Sequence, residues 1–205
     1  MGKIRDWKNE LAEHKYMLLL SVMFLVIALI LDYYSGTYVT KIPAVPVPDL
    51  ILDHLPTVDL DFIFVYGFIS IIAILLFYPL FFRVKELHKV IGQFSLLIAV
   101  RSFFICLTHI GVPYQALTFD IPHIISYITF KNDLFFSGHV ATAFLGFLLF
   151  KDKKIKYFFL IASIIMAAVV LLMHVHYSID VLSAFFITFG TFKIGEWLFK
   201  KINHY

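Results

Sequence analysis

Six apolar stretches alternate with polar, charged or proline-containing segments along the chain. They cover residues 16–31, 61–82, 90–110, 134–150, 157–173 and 179–199. A helix needs roughly 20 apolar residues to cross the hydrocarbon of a bilayer, and most of these stretches approach that length. The pattern therefore predicts an all-α fold in which six transmembrane helices pack in one bundle.

The first polar segment, residues 1–15, leaves two interpretations open. It is charged, but Ile4, Trp7 and Leu11 fall on one helical face. A short helix lying at the membrane interface fits that spacing, and a solvated disordered tail fits the charge. We expect a cytoplasmic or interfacial segment here, followed by one six-helix membrane domain over residues 16–205.

The remaining connections differ in character. Residues 32–59 hold four of the seven prolines, which exclude a continuous helix and predict a loop. A second loop is predicted at 111–133, and residues 83–89 and 151–156 are predicted basic turns. The first apolar stretch lacks a small-residue cleavage site and is interpreted as a retained signal anchor.

Charge predicts the orientation. Lys and Arg fall on one side of a six-span chain, at the N-terminus, at 83–89, at 151–156 and at Lys200 and Lys201. The opposite loops carry six aspartates against Lys41 and Lys131. Because cations are retained on the cytoplasmic side, both termini are predicted to be cytoplasmic. We expect a multi-pass protein of the cell membrane.

Composition supports a membrane protein. The chain is 61% hydrophobic and only 15% charged, whereas charged residues are near a quarter of soluble domains. The net charge of +3 follows topology and forms no basic stripe, so nucleic-acid binding is not expected. The single cysteine, Cys106, is interpreted as a buried thiol that cannot form an intrachain disulfide.

Two polar interruptions in the second half carry the candidate chemistry. His176 and Asp180 are four residues apart, so a helix would place them on one face, with the carboxylate fixing the imidazole tautomer. Ser137 and Gly138 precede His139 at the start of an apolar stretch, where a serine cap, free N–H groups and the helix dipole favour phosphate. The three ionisable groups predict phosphoryl transfer, with one histidine attacking phosphorus and the other supplying a proton.

Other polar residues leave alternatives open. Arg101, deep in its stretch, needs a carboxylate, carbonyl dipoles or a bound phosphate. Lys131 could reach a phosphate or be solvated, and His109 could serve the site or pack at the interface. His174 is at most a supporting residue. A metal site is disfavoured, because two histidines at i and i+2 do not converge on a helix.

With these residues in hand, the chain resembles the sphingomyelin synthase family, a branch of the type-2 phosphatidic acid phosphatase superfamily. Four ordered segments carry the resemblance: PVPDLILDHL from residue 46, RSFFICLTHIGVP from 101, NDLFFSGHV from 132 and HVHYSIDVLSAFFIT from 174. Phe136 stands where the broader superfamily has proline, and the lysine-to-arginine phosphate motif is missing. The match is therefore to the synthase-like branch.

The resemblance implies a mechanism, and together with the residue patterns it leads to a set of expected substrate-binding residues. His176 would form a phosphohistidine, His139 would protonate the leaving group, and Asp180 would orient His176, with no metal or other cofactor. The active site would face the lumen or cell exterior. The substrate-binding residues that we expect are Arg101, Lys131, Asp133, Ser137, Gly138 and Tyr177.

The predicted activity is transfer of a phospholipid headgroup to a lipid alcohol, ceramide or diacylglycerol. The first alternative is a lipid phosphate phosphatase that uses water with the same triad. The second is an inactive membrane binding or transport protein of the same fold. The expected partners are membrane lipids and the bilayer, and homo-oligomerisation is left open.

Overall fold

A computed structural model describes residues 2–117 and 130–202, in which every regular element is a helix or a helical turn and there is no strand. Residues 118–129, which include Asp120 and Pro122 of the predicted second loop, lie outside the described residues. The all-α class is therefore confirmed. The helices are α1 (Gly2–Glu13), α2 (Lys15–Lys41), α3 (Phe68–Phe82), α4 (Val84–Leu107), α5 (Gly138–Leu149), α6 (Lys156–Leu172) and α7 (Ser178–Ile202). A 3₁₀ turn covers Leu52–His54, and a π-helical turn, Ile63–Gly67, leads directly into α3.

Four helical segments within the described residues are long and apolar enough to cross a membrane. They are Lys15–Lys41, Ile63–Phe82, Val84–Leu107 and Ser178–Lys201, and they indicate a membrane protein. Helices α5 and α6 have 12 and 17 residues, fewer than the roughly 20 that a perpendicular span requires. Six spans thus remain a prediction.

Three predicted boundaries were wrong. Helix α2 continues ten residues beyond the predicted end at residue 31, to Lys41, because no proline interrupts it before Pro43. Most of the predicted turn at 83–89 is the first part of α4, since Lys, Glu and Leu are good helix formers. Helix α5 begins at Gly138, four residues later than predicted.

The helices form one bundle around a continuous apolar core. Among the fully buried core side chains are Leu75 of α3, Val140 of α5 and Phe159 of α6. The ring of Phe159 packs directly on the Cα of Gly146, where an added Cβ would lie 2.2 Å from Cδ1. Small residues of this kind let membrane helices approach closely.

The N-terminal segment is helical rather than a tail. The indole N–H of Trp7 donates to the carbonyl oxygen of Leu80 at 2.8 Å. Trp7 and Leu11 pack against Val84 and Leu87 at the start of α4. Helix α1 is therefore attached to the α3–α4 corner by an apolar face and one hydrogen bond.

The bundle has two chemically different ends. Its basic end is the end where α3, α5 and α7 finish and α4 begins. Its site end is the opposite end, where α5 and α7 begin and α6 finishes. At the site end, Gly111 N–H donates to Val45 O at 3.1 Å. A Cβ on Gly111 would lie 2.7 Å from the Val45 carbonyl carbon, so only glycine allows these two loops to meet.

Candidate active site

His176 and Asp180 face each other at the start of α7. His176 lies in the turn before the helix, and its Nδ1 is 3.5 Å from Oδ2 of Asp180 in the first helical turn. The Asp180 side chain is fully buried, and Oδ2 accepts the backbone N–H of Tyr177 at 2.9 Å. This arrangement directs Nδ1 toward the carboxylate, so Nε2 is the ring nitrogen that Asp180 does not engage.

A backbone hydrogen bond joins this turn to the start of α5. The N–H of Ser137 donates to the carbonyl oxygen of Asp180 at 3.2 Å. Ser137 occupies the N-cap position of α5, but its hydroxyl makes no capping hydrogen bond, so the predicted serine cap was wrong. Its Oγ is buried without a hydrogen-bond partner among the described residues.

His139 is held between two phenylalanine rings. Its ring centroid lies 4.1 Å from that of Phe64 and 4.0 Å from that of Phe68, both in stacked geometry. The π-helical turn that carries Phe64 leads directly into α3, which begins at Phe68, and such turns are frequent at functional sites. The imidazoles of His139 and His176 are close enough for a charge on one to act on the other.

Arg101 is bound by acidic side chains and a carbonyl. Its guanidinium donates to Asp133 Oδ2 at 3.0 Å and to the Phe136 carbonyl oxygen at 3.0 Å, and it lies 2.8 Å from Asp133 Oδ1. Asp32 of α2 lies 3.8 Å away and accepts the hydroxyl of Ser102. Two predicted substrate-binding residues, Arg101 and Asp133, are thus partners of each other.

Gly138 lies directly against the Arg101 side chain. A Cβ at this position would be 3.2 Å from Nε of Arg101. Because Nε also donates to the Phe136 carbonyl, the absence of a side chain at Gly138 lets the guanidinium support the loop that precedes α5. The predicted role of this glycine, close approach of an anion, remains a prediction.

Tyr177 connects two loops. Its hydroxyl donates to the Gly111 carbonyl oxygen at 2.8 Å and accepts the N–H of Val47 at 3.1 Å. The side chain is 1% exposed, and burial raises the pKa of the phenol above its ordinary value. In this position Tyr177 fixes the site-end loops, and both of its described hydrogen bonds are to backbone groups.

Asp49 is a residue whose role sequence reasoning missed. Its carboxylate accepts the N–H and hydroxyl of Ser178, at 2.7 and 2.8 Å through Oδ2, and so caps the start of α7. Oδ1 accepts the N–H groups of Ile51 and Leu52, each at 2.9 Å. Burial disfavours ionisation, but the hydrogen bonds from Leu52, Ser178 and Ile51 outweigh it and lower the pKa of the carboxyl. The PVPD segment offered one signal, an aspartate directly after a rigid proline-rich stretch.

Other predicted residues lie apart from this group. Lys131 has an exposed side chain, and its carbonyl oxygen accepts the Thr40 hydroxyl at 3.1 Å. His109 is exposed and stacks edge-on with Tyr38. His174 is buried, adopts a left-handed φ of 55°, and lies 3.2 Å from the Leu55 carbonyl oxygen through Nε2.

In the residues that the structure describes, no group of three His, Cys, Asp or Glu side chains is arranged to hold a metal.

Among the buried polar atoms of the site, Ser137 Oγ, His176 Nδ1 and Asp180 Oδ1 lack hydrogen-bond partners within the described part of the chain. Buried polar atoms are normally satisfied, and an unsatisfied one calls for a ligand, a water or a reactive role. The Ser137 hydroxyl can donate to an anionic oxygen, whereas His176 Nδ1, 3.5 Å from Asp180, faces the carboxylate that can hold the imidazole. The arrangement suits an oxyanion next to the two histidines.

The fold and this site define a membrane protein with two histidines and an aspartate gathered where two helices begin. Residues 132–197, which contain all three side chains, match the family model described as the PAP2 superfamily C-terminal domain. The match supports the type-2 phosphatidic acid phosphatase superfamily, which is generally enzymatic and includes phosphatases and phosphotransferases. No curated protein matches the chain.

Proposed function

We propose that the protein is an integral-membrane lipid phosphotransferase of the sphingomyelin synthase-like kind. It moves a phosphorylated headgroup from a phospholipid to a lipid alcohol such as ceramide or diacylglycerol. The observation that carries this proposal is the hydrogen bond from Ser137 N–H to the Asp180 carbonyl, because it holds the loop before His139 against the turn after His176.

The first half-reaction loads the headgroup onto His176. Nε2 attacks phosphorus, the bond from phosphorus to the diacylglycerol oxygen breaks, and His139 gives its proton to the departing alkoxide. Asp180 next to Nδ1 stabilises the positive charge that develops on the His176 ring. The products are diacylglycerol and a phosphohistidine that carries the headgroup.

The second half-reaction reverses these roles. His139, now neutral, accepts the proton of the acceptor hydroxyl while the oxygen attacks phosphorus, and the bond from phosphorus to Nε2 breaks. The headgroup lipid leaves, and both histidines return to their starting protonation states. His139 serves in both steps because an imidazole can act first as the general acid and then as the general base.

Two observations favour transfer between lipids over hydrolysis of a phosphate monoester. The rings of Phe64 and Phe68 cover both faces of His139, and such an apolar surface suits a lipid alcohol better than water. Arg101 is already paired with Asp133 and lies near Asp32. It therefore offers little charge to a dianionic monoester, whereas a phosphodiester carries a single negative charge.

The proposal includes six spans, cytoplasmic termini and a site that faces away from the cytoplasm. The distribution of Lys and Arg supports this orientation. The test is a cysteine placed at Asp53, in a chain in which Cys106 is replaced by alanine. Reaction with an impermeant thiol reagent in intact cells agrees with the orientation, and reaction only after permeabilisation contradicts it.

Activity is tested with purified protein in bilayers containing phosphatidylcholine, phosphatidylethanolamine or phosphatidic acid labelled at phosphorus, with and without ceramide or diacylglycerol. Acceptor-dependent formation of a new labelled lipid supports transfer. Free phosphate released from phosphatidic acid without an acceptor supports the phosphatase instead. Absence of both products supports the inactive alternative.

The intermediate has its own test. Label retained on the protein after an alkaline quench and lost in acid is the behaviour expected of a phosphohistidine. His176→Ala should lose both the label and turnover, while His54→Ala, at an exposed histidine of the same end, should retain both. Full turnover by His176→Ala would refute the mechanism.

A further inference from the structure

A cavity of about 290 Å³ lies at the basic end of the bundle. It is formed by the start of α4, the end of α5 with the turn that follows, and the end of α7. These three helices carry Arg101, His139 and Asp180 at their other ends. Along α4 alone, the 12 residues from Lys89 to Arg101 correspond to about 18 Å, so the cavity is separate from the candidate active site.

The charged lining of the cavity has an excess of cations. Five basic side chains line it, namely Arg83, Lys89, Lys151, Lys153 and Lys200, together with three acidic ones, Glu86, Asp152 and Glu196. Two of the acids are occupied: Glu86 pairs with Arg83, and Glu196 with Lys151 at 3.7 Å and Lys193 at 3.2 Å. Among the described residues, Lys89, Lys153 and Lys200 make no ion pair, which leaves the cavity positive.

Gln93 supplies a second, independent feature. This side chain lines the cavity and is 2% exposed. Its amide N–H donates to the Phe192 carbonyl oxygen at 3.1 Å, while Oε1 has no hydrogen-bond partner within the described residues. The carboxamide lies against Gly195, where an added Cβ would be 2.3 Å from Oε1. A buried acceptor held in this way calls for a donor such as a hydroxyl group.

The rest of the lining is apolar. Val90, Leu148, Phe150 and Phe192 all face the cavity. A ligand that fits must therefore combine a negative charge for the lysines, a hydroxyl for Gln93 and a hydrocarbon portion for this surface. An anionic phospholipid with a hydroxylated headgroup has all three.

We propose that the basic end binds an anionic phospholipid whose headgroup carries a hydroxyl, at the opposite end of the bundle from the candidate active site. Lys89, Lys153 and Lys200 hold the phosphate, and Gln93 accepts a hydrogen bond from the headgroup hydroxyl. The site is a binding site and contributes no group to phosphoryl transfer. It stands on the cavity and its lining whatever reaction the other end carries out.

The experiment compares lipid affinities of the purified full-length chain by titration followed with native mass spectrometry. Phosphatidylglycerol should bind at least about tenfold more tightly than phosphatidylcholine, since each lysine near an anionic headgroup contributes on the order of fivefold. The triple variant K89Q/K153Q/K200Q should lose this preference. Equal affinities of the unaltered protein for the two lipids would overturn the proposal.

The matched control removes three other lysines of the same end, K154Q/K156Q/K201Q, none of which lines the cavity. It should keep the preference to within about twofold. An equal loss in both triple variants would mean that general surface charge attracts the lipid, and would overturn the site. K89R/K153R/K200R keeps the charge and should retain binding, which separates loss of the site from loss of the fold.

Two further arms identify the ligand. Gln93→Leu should weaken phosphatidylglycerol several-fold but leave phosphatidic acid, whose headgroup has no hydroxyl, unchanged. An equal effect on both lipids would overturn the assignment of Gln93. Glycerol 3-phosphate in millimolar excess should not displace the lipid, and displacement would overturn a lipid as the source of the phosphate.

Discussion

Ser137 and Asp180, 43 positions apart in the sequence, are joined by a backbone hydrogen bond of 3.2 Å from the N–H of the first to the carbonyl of the second. The bond uses no side chain, so it depends on the paths of two loops. It connects the N-cap of α5 with the first turn of α7. Whatever fixes these two helix starts therefore also fixes the distance between His139 and His176.

Asp180→Asn should reduce turnover by about 100-fold or more, because the amide cannot stabilise a positive charge on His176. Its oxygen can still accept the Tyr177 N–H, so the fold should persist. Steady-state transfer and thermal unfolding, measured on the same preparation, separate the two effects. Turnover within a few-fold of the unaltered protein would show that Asp180 does not act on His176.

Gly138→Ala should lower turnover by about tenfold. The new Cβ would lie 3.2 Å from Nε of Arg101 and push the guanidinium by a few tenths of an ångström, and small misplacements near reacting groups are costly. Gly190→Ala is the matched control, because nothing lies within 4 Å of its added Cβ. Equal turnover in the two variants would contradict the role assigned to Gly138.

Arg101 and Asp133 should be energetically coupled in the absence of lipid. Arg101→Met leaves Asp133 without its partner and should cost about 3–5 kcal/mol of unfolding free energy. The double variant R101M/D133N should be less destabilised than the sum of the single variants by at least about 1 kcal/mol. Unfolding of the single and double variants in detergent measures this coupling. Strict additivity of their unfolding free energies would mean that Arg101 is held mainly by other groups.

Asp49→Asn should destabilise the fold by about 1–2 kcal/mol near neutral pH, because the charged cap of α7 is lost. The lowered pKa of Asp49 sets the pH dependence. The stability that the Asp49 carboxylate contributes is fully present above the ordinary pKa of about 3.9. It is lost as the pH falls through the lowered pKa of the folded protein.

The difference between Asp49→Asn and the unaltered protein should therefore shrink only below about pH 4. Thermal unfolding at a series of pH values measures it. Asp59→Asn, in the same loop but exposed, should change stability by less than about 0.5 kcal/mol. A pH-independent difference for Asp49→Asn would contradict the cap.

Tyr177→Phe should cost about 1–2 kcal/mol of stability and leave the Michaelis constant for lipid unchanged. The lost hydroxyl satisfies Gly111 and Val47, both backbone groups of the site-end loops. Tyr114→Phe, at a tyrosine that is 78% exposed, is the control. A large rise in the Michaelis constant with unchanged stability would instead support the predicted substrate-binding role of Tyr177.

The sequence predicted the parts of this structure that depend on local pattern. Apolar length predicted the helices, and the spacing of His176 and Asp180 predicted that they face each other. The errors in the predicted elements fell at their boundaries, where residues such as Lys85 and Glu86 suit a helix as well as a turn. Helix propensity alone does not distinguish a helix from a turn at these residues.

The rest of the site depends on contacts between distant segments. Asp49 in a proline-rich loop looks like any solvated aspartate until Ser178 lies beside it. Likewise, the sequence showed that Arg101 needs a partner but not that the partners are Asp133 and Asp32. Phe64 and Phe68 belong to an ordinary apolar stretch, and only the packing of α5 against α3 places them on His139.

The shortness of α5 has a consequence for the path of the substrate. Its 12 residues span about 18 Å, and the hydrocarbon is about 30 Å thick. On the proposed six-span topology, with Lys151 at one membrane surface, His139 would lie roughly 12 Å beneath the other. On the proposed orientation, a lipid headgroup therefore descends below the plane of its neighbours to react. The loops that are joined at Gly111 and Tyr177 would line the path of that headgroup.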